Sequence, residues 1–278
     1  MTEIGASTSR FKVALPGRPD AVFVLAWSAA TDKGYRRSAN EDSYVAQSPV
    51  FAVADGMGGH SAGDLASAAV VTRLAETITS FFTTTDSVDL ALQKATEDIT
   101  LVGGDSELGV GTTVTGAVLT LQAGDPYFAV FNIGDSRVYQ FERNELRQIT
   151  VDHSVVQEMV DAGLIDRAQA DAHPDSNVIT RAVGFNAPPS ADYWMMPLRA
   201  NLRLLICSDG LTKELDDERI RLHLSAGLSA RVTAKALVDA ALVAGGRDNV
   251  TTIVVDVVKA PSDFTFNSTS PTSGANPL

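Results

Sequence analysis

The chain of 278 residues contains a single cysteine, Cys207. One thiol excludes a disulfide within the chain, and such sequences are typical of a reducing compartment. The sequence also lacks an apolar run near the roughly 18–20 residues that a membrane-spanning helix requires. The apolar segment 21–30 is short and ends in a charged turn rather than a cleavage site, so it does not resemble a signal peptide. We therefore expect a cytoplasmic protein.

The chain lacks an excess of basic residues as well. It has 22 Lys and Arg against 34 Asp and Glu, for a formal net charge of −12. An acidic chain is a poor general binder of nucleic acid or of anionic membranes, so we expect neither as a partner, and we expect a monomer. Bound cations would neutralise part of this charge, although solubility alone explains it equally well.

Two tails flank a region of regular patterning. Residues 1–20 mix Ser, Thr, Pro and Gly and predict a flexible N-terminal extension, whereas residues 259–278 are rich in Ser, Thr and Pro and predict a disordered tail. Between them, residues 21–258 predict one folded domain. Its predicted helices arrive in pairs between blocks of strands, at 63–82 with 87–102 and at 216–224 with 230–244, and a polar helical insert falls at about 154–172. Such pairs argue against a doubly wound parallel sheet and favour antiparallel sheets packed face to face, with helices outside.

Carboxylates recur where turns are expected. Three of them follow apolar, strand-like runs, and an acid at the mouth of a buried strand is costly unless something pairs with it. Several converging acids repel one another unless a cation lies between them, and hard oxygen ligands favour Mg²⁺ or Mn²⁺. We therefore expect metal-assisted hydrolysis of a phosphate ester. The motifs are Asn40-Glu41-Asp42, Ala54 to Gly59, Gly111-Thr112-Thr113 (the one without an acid), Gly134 to Arg137, Ser208-Asp209-Gly210 and Arg247-Asp248-Asn249.

The order and spacing of these motifs resemble the metal-dependent protein serine/threonine phosphatases of the 2C type, in their bacterial form. The resemblance covers about residues 26–258. It is strengthened by Arg37 three residues before Asn40, by His60 after the glycine-rich loop, by Asp152-His153-Ser154 and by Asn177 to Ala182. The resemblance implies an α+β fold: two antiparallel β-sheets packed as a sandwich with helices on both outer faces, in α-β-β-α layers. It also implies a small helical flap at about 152–190.

The resemblance assigns roles to individual residues. A water that bridges two core Mn²⁺ or Mg²⁺ ions would attack phosphoserine or phosphothreonine in proteins, which a bacterial Ser/Thr protein kinase would have phosphorylated. Asp135 and Asp209 would share a third, weaker ion, and Arg37 rather than its neighbour Arg36 would bind the substrate phosphate. His60 is a possible general acid, although Met57 stands where the family's better-known candidate acid lies. The core ligands would be Asp42, Asp55, Asp209, Asp248 and the carbonyl of Gly56, where no Cβ hinders the approach of a metal ion. Glu41 and Asn249 would not bind the metal directly but would support these ligands through contacts around them.

Three other interpretations compete with this one. The segment 59–63 matches G-x-S-x-G and could make Ser61 a hydrolase nucleophile, but the predicted strand Val50–Ala54 ends several residues before the serine. A cysteine phosphatase using Cys207 would need an arginine where this chain has Lys213. A catalytically dead, metal-binding regulatory module of the same fold is disfavoured, because the chain keeps every expected acid.

Overall fold

The computed structural model describes residues 1–58, 62–103, 109–185 and 188–261. Its strands are β1 Glu3–Ile4, β2 Thr8–Leu15, β3 Arg18–Asp32, β4 Asp42–Gln47, β5 Val50–Met57, β6 Gly111–Thr112, β7 Val114–Gln122, β8 Asp125–Ile133, β9 Arg137–Glu142, β10 Glu145–Gln148, β11 Asp192–Pro197, β12 Arg203–Cys207 and β13 Val250–Lys259. Its helices are α1 Ala62–Ala75, α2 Thr85–Gly103, α3 Val155–Asp161, α4 Arg167–Asp171, α5 Asp209–Thr212, α6 Asp217–Ser225 and α7 Ala230–Ala244. None of these helices is long and apolar enough to cross a bilayer.

The strands form two sheets. The first has the order β1-β4-β5-β7-β8-β11, with β6 paired to β5, and the second has the order β10-β9-β12-β13-β3-β2. Neighbouring strands are antiparallel except β1 and β4, which pair in parallel. This arrangement confirms the predicted sandwich.

Apolar residues fill three layers. Large side chains such as Phe23, Phe51 and Phe128 pack between the two sheets. One outer layer packs the first sheet against α1 and α2, and the other packs the second sheet against α5, α6 and α7. Both faces of each sheet are therefore covered, which explains why the central strands are almost continuously apolar rather than alternating.

The period of the strands points the site acids into the space between the sheets. Alternate residues of a strand lie on the same face. Phe51 and Val53 of β5 belong to the cluster between the sheets, and Tyr44 and Ala46 of β4 belong to the same cluster. Asp55 continues the first series and Asp42 continues the second, so both acids lie at one end of the inter-sheet space.

The predicted flexible extension at residues 1–20 is wrong. Strand β2 pairs with β3 across the edge of the second sheet, and β1 pairs with β4. Val13 and Leu15 are 0% and 2% exposed and lie in the cluster between the sheets. Alternating burial along β2 supplies the apolar face that composition alone did not show.

The first predicted helix is too long. It ends at Ala75 rather than near residue 82. The hydroxyl of Thr77 donates a hydrogen bond to the Leu74 carbonyl over 2.7 Å, so a side chain satisfies an acceptor at the helix end. The structure also adds the short elements β6 and α5, and the predicted tail lies outside the described residues from position 262 onward.

Candidate metal centre

The first pair of predicted ligands meets across two neighbouring strands. Asp42 and Asp55 are directly opposite each other in the register of β4 and β5. Asp42 is fully buried, and its Oδ2 accepts hydrogen bonds from the hydroxyls of Ser208, over 2.8 Å, and Thr251, over 2.6 Å. Its Oδ1 is also buried but has no hydrogen-bond donor within the described part of the chain. Two hydroxyls from the second sheet thus fix the carboxylate and leave one oxygen for another ligand.

The second pair of predicted ligands comes from the opposite sheet. Asp209 is the first residue of α5, two residues after the end of β12, and Asp248 lies two residues before β13. The Oδ1 of Asp209 is a second buried carboxylate oxygen to which no described residue donates. Its Oδ2 forms an ion pair with Lys213, whose Nζ lies 3.6 Å from Asp248 Oδ2.

Arg37 holds Asp248 with a two-pronged contact. Its Nε lies 2.7 Å from Oδ1 and its Nη2 donates to Oδ2 over 2.8 Å. Arg36 has a different surrounding, because its charge acts on Glu214, which pairs with Arg247. The structure therefore places Arg37, and not Arg36, against the acid cluster.

Asn249 fastens the loop that carries Arg37. Its Oδ1 accepts from the amide of Glu41 over 2.8 Å, and its Nδ2 donates to the carbonyls of Lys33 and Ala39 over 2.9 Å each. The side chain is 4% exposed. Asn249 thus joins residues 33–41 to the start of β13, which is a more specific role than the sequence indicated.

Gly56 allows a close approach of three backbone segments. A Cβ at this position would collide with the carbonyl of Gly63 and lie 2.7 Å from the carbonyl of Glu41. The glycine therefore allows β5, the start of α1 and the Glu41 backbone to pack closely. The Glu41 carbonyl also accepts from the Ser67 hydroxyl over 2.6 Å, so the described contacts of Glu41 run through its backbone.

Asp135 lies in the turn between β8 and β9, and His153 supports this turn. The amide of Gly134 donates to His153 Nδ1 over 3.1 Å, and the amide of His153 donates to the Gly134 carbonyl over 2.9 Å. Since Nδ1 accepts, the proton lies on Nε2, which faces Asp192 Oδ2 over 3.1 Å. Burial lowers the pKa of His153, which favours this neutral form. Sequence reasoning noted the Asp152-His153-Ser154 motif only as the start of an insert and missed this support.

The pKa values of the clustered acids indicate that nearby positive charge does not balance their negative charge. Burial raises the pKa of Asp42 to about 7, and nearby Asp209 and Asp248 add to the effect. Burial and the charge of Asp209 likewise raise the pKa of Asp135 to about 7, and burial together with Asp42 raises that of Asp55. Like charges forced together in a buried site favour protonation or a bound cation.

The residues present fit divalent cations. Two buried carboxylate oxygens without donors, an all-carboxylate donor set and raised carboxylate pKa values are what Mn²⁺ or Mg²⁺ would satisfy. In their present positions, no three His, Cys, Asp or Glu side chains of the described residues surround a single point closely enough to ligate one ion. Arg37 contacts both carboxylate oxygens of Asp248, so this ion pair would have to change for Asp248 to ligate a metal ion, whereas Lys213 pairs with Asp209 Oδ2 and leaves its Oδ1 without a donor among the described residues.

Of the two competing nucleophiles, Cys207 and Ser61, only Cys207 lies among the described residues. Cys207 is fully buried, and burial raises its thiol pKa to about 12, which disfavours a reactive thiolate. His60 and Ser61 lie outside the described residues. Strand β5 runs to Met57, three residues beyond the predicted end at Ala54, and still stops four residues before Ser61.

Comparison with known proteins agrees with this fold. The family model described as Protein phosphatase 2C matches residues 35–244. The Serine/threonine phosphatase stp of Listeria welshimeri is 33% identical over 239 residues, covering 81% of this chain and 93% of the relative. The Serine/threonine protein phosphatase PstP of Mycobacterium tuberculosis is 38% identical over 254 residues, covering 89% of this chain. The match spans only 47% of PstP's own length.

A solved structure extends the comparison to three dimensions. The catalytic domain of the serine threonine protein phosphatase PstP, crystallised in complex with 2 manganese ions, superimposes with a TM-score of 0.75 at 37% identity. The alignment covers 85% of this chain and 100% of that one. The two-sheet fold and these matches define a serine/threonine phosphatase. This chain belongs to the protein phosphatase 2C family.

Proposed function

We propose that this protein hydrolyses phosphoserine and phosphothreonine in proteins with the help of two divalent ions, Mn²⁺ or Mg²⁺. The observation that carries the proposal is the meeting of four carboxylates from two sheets, two of which keep a buried oxygen without a donor. Relatives named serine/threonine phosphatases, and a structural neighbour with 2 manganese ions, support the substrate class and the metal.

Four acids would hold the core ions: Asp42, Asp55, Asp209 and Asp248, with the carbonyl of Gly56. Bound ions supply a water of lowered pKa and positive charge for the phosphoryl oxygens. The hydroxyls of Ser208 and Thr251 keep Asp42 oriented, and their hydrogen bonds oppose the effect of burial on its pKa. Asp135 and Asp209 would form a third, weaker site.

Arg37 would bind the substrate phosphate. Its Nε and Nη2 grip the two oxygens of Asp248, and the same planar fork suits two oxygens of a phosphate monoester. With Asp248 serving as a metal ligand, Arg37 would release this carboxylate and its guanidinium would be free to bind the substrate phosphate. Asn249 keeps the Arg37 loop beside the acids while this exchange takes place.

The insert between β10 and β11 would contact the phosphoprotein as the predicted flap. It carries α3 and α4, and Leu164 and Val178 expose 74% and 46% of their surface. Exposed apolar side chains near a catalytic site are suited to contact a protein substrate. We also propose that the protein removes phosphate groups that a bacterial Ser/Thr protein kinase adds, since relatives bear the name serine/threonine phosphatase.

The decisive experiment is hydrolysis of matched phosphoserine, phosphothreonine and phosphotyrosine peptides by the purified chain. We expect turnover of the first two with Mn²⁺, loss of turnover with EDTA, and recovery when Mn²⁺ is restored. Asp209→Ala and Asp248→Asn should lose nearly all activity, whereas Cys207→Ser should keep most of it. Activity that survives exhaustive EDTA treatment would favour a serine nucleophile, and a metal-binding chain inactive on every peptide would favour a regulatory module.

A further inference from the structure

Lys213 places a fixed positive charge inside the acid cluster. It follows Asp209 by four residues, so both side chains lie on the same face of the turn that α5 forms. Its Nζ pairs with Asp209 Oδ2 and lies 3.6 Å from Asp248 Oδ2. The Lys213 charge also lowers the pKa of Asp135, which places that acid within its electrostatic reach.

The backbone of Lys213 is anchored on both sides. Its amide donates to the Asp209 carbonyl over 2.8 Å, and its carbonyl accepts from Arg247 Nη2 over 2.8 Å. The side chain is one third exposed, at 33%. These two hydrogen bonds hold the backbone of Lys213 in place. The ammonium group could therefore leave the acid cluster only by rotation of the side chain.

The two oxygens of Asp209 therefore have different surroundings. Oδ2 is neutralised by Lys213, whereas Oδ1 is buried without a donor among the residues that the structure describes. The first oxygen is already paired with a cation, and the second remains for a metal ion. Asp209 would have to lose the lysine before Oδ2 could join Asp135 in holding a third ion.

We propose that Lys213 is a built-in cation of this metal centre, which pairs with one oxygen of Asp209 and thereby weakens binding of a third divalent ion. The inference rests on the proposed function, because it presupposes that the remaining carboxylate oxygens hold the two core ions. An ammonium group supplies charge but, unlike a metal ion, it cannot act as a Lewis acid on a water. The chain thus works with two tightly bound ions, and Lys213 supplies in part the charge that a third would bring.

The test compares Lys213→Met with the wild type. Methionine keeps a long unbranched side chain and removes the charge. Lys213→Arg keeps the charge, and Lys235→Met is the matched control, because Lys235 also pairs with an acid four residues away, Asp239, on an exposed helix face. The measurements are Mn²⁺ titration calorimetry and the melting temperature of the metal-free protein, with circular dichroism as a check of folding.

We expect Lys213→Met to bind the weakest Mn²⁺ ion about tenfold more tightly or better, because a nearby positive charge no longer repels it. The metal-free melting temperature should fall by roughly 2–8 °C, because the acids lose their counter-charge. Lys213→Arg and Lys235→Met should match the wild type in both measurements. Unchanged Mn²⁺ affinity and an unchanged melting temperature in Lys213→Met would overturn the proposal.

The two proposals can fail separately. Wild-type protein that hydrolyses phosphopeptides with Mn²⁺, while Lys213→Met behaves identically in calorimetry and melting, refutes the role of Lys213 alone. Wild-type protein that binds no Mn²⁺ refutes the two-metal function, and with it the proposal that Lys213 weakens binding of a third ion. In that case, a lower metal-free melting temperature in Lys213→Met would still show that the lysine neutralises the acids.

Discussion

Asn249→Ala is the substitution that best tests how the structure holds Arg37 in place. The change removes one acceptor and two donors that join residues 33–41 to the start of β13. It leaves the backbone amide of residue 249, which donates to Asp248 Oδ1 over 2.9 Å. The Arg37 loop should therefore loosen while Asp248 keeps its own support.

The expected cost follows from the hydrogen bonds lost. Each contributes about 0.5–1.5 kcal/mol net, and the amide of Glu41 and the carbonyls of Lys33 and Ala39 are left to find other partners. Since such losses are not additive, we expect roughly 2–3 kcal/mol in total. For a domain of this size, that corresponds to a fall in melting temperature of roughly 4–10 °C.

The substitution should lower kcat/KM for the substrate more than it lowers the affinity for metal. We expect kcat/KM on a phosphoserine peptide to drop about three- to tenfold, because Arg37 spends less time in its binding position. The affinity for Mn²⁺ should change less than about threefold, because all four core acids remain. Gln93→Ala, which removes an exposed amide from α2, is the control and should match the wild type. A variant with unaltered melting temperature and unaltered kcat/KM would show that the loop does not depend on Asn249.

Three further predictions concern the same centre. Arg37→Ala should lower kcat/KM roughly ten- to hundredfold, since a charge-assisted bidentate contact is worth about 1.5–3 kcal/mol. Arg36→Ala should have little effect, and the reverse result in phosphatase assays would contradict the assignment of Arg37. Cys207→Ser should keep most of its activity and lose about 1–2 kcal/mol of stability in chemical denaturation, because a hydroxyl replaces a buried thiol; an inactive but folded variant would give the thiol a role. Metal-free protein should become less stable as pH rises from about 5 to 8, because the pKa values of Asp42 and Asp135 are raised to about 7 and the folded state holds protons that the unfolded state has released. Melting temperatures in chelator should show this fall, and saturating Mn²⁺ at pH 8 should reverse it; a metal-free melting temperature that rises over this range would refute the pKa argument.

The sequence by itself determined most of the central strands and the chemistry of the acids. Helix α7 has the predicted bounds, because a long amphipathic run with a serine cap is a strong local signal. The predicted positions of Asp135 and Asp209 just after strands agree with the structure, whereas β5 continues two residues beyond Asp55. Local pattern was sufficient here because the signal and the structure extend over the same few residues.

Tertiary structure decided which partners the residues around the acids contact. Asn249 and His153 form hydrogen bonds to residues far from them in the sequence, and no periodicity predicts such partners. Lys213 looked like a residue that merely excludes a cysteine phosphatase, yet the fold brings its ammonium group between Asp209 and Asp248. The N-terminal residues show the same limit, because β2 is apolar on one face only and becomes a strand through its pairing with β3. Contacts between distant parts of the chain depend on how the two sheets pack, and packing is a property of the whole fold rather than of any segment.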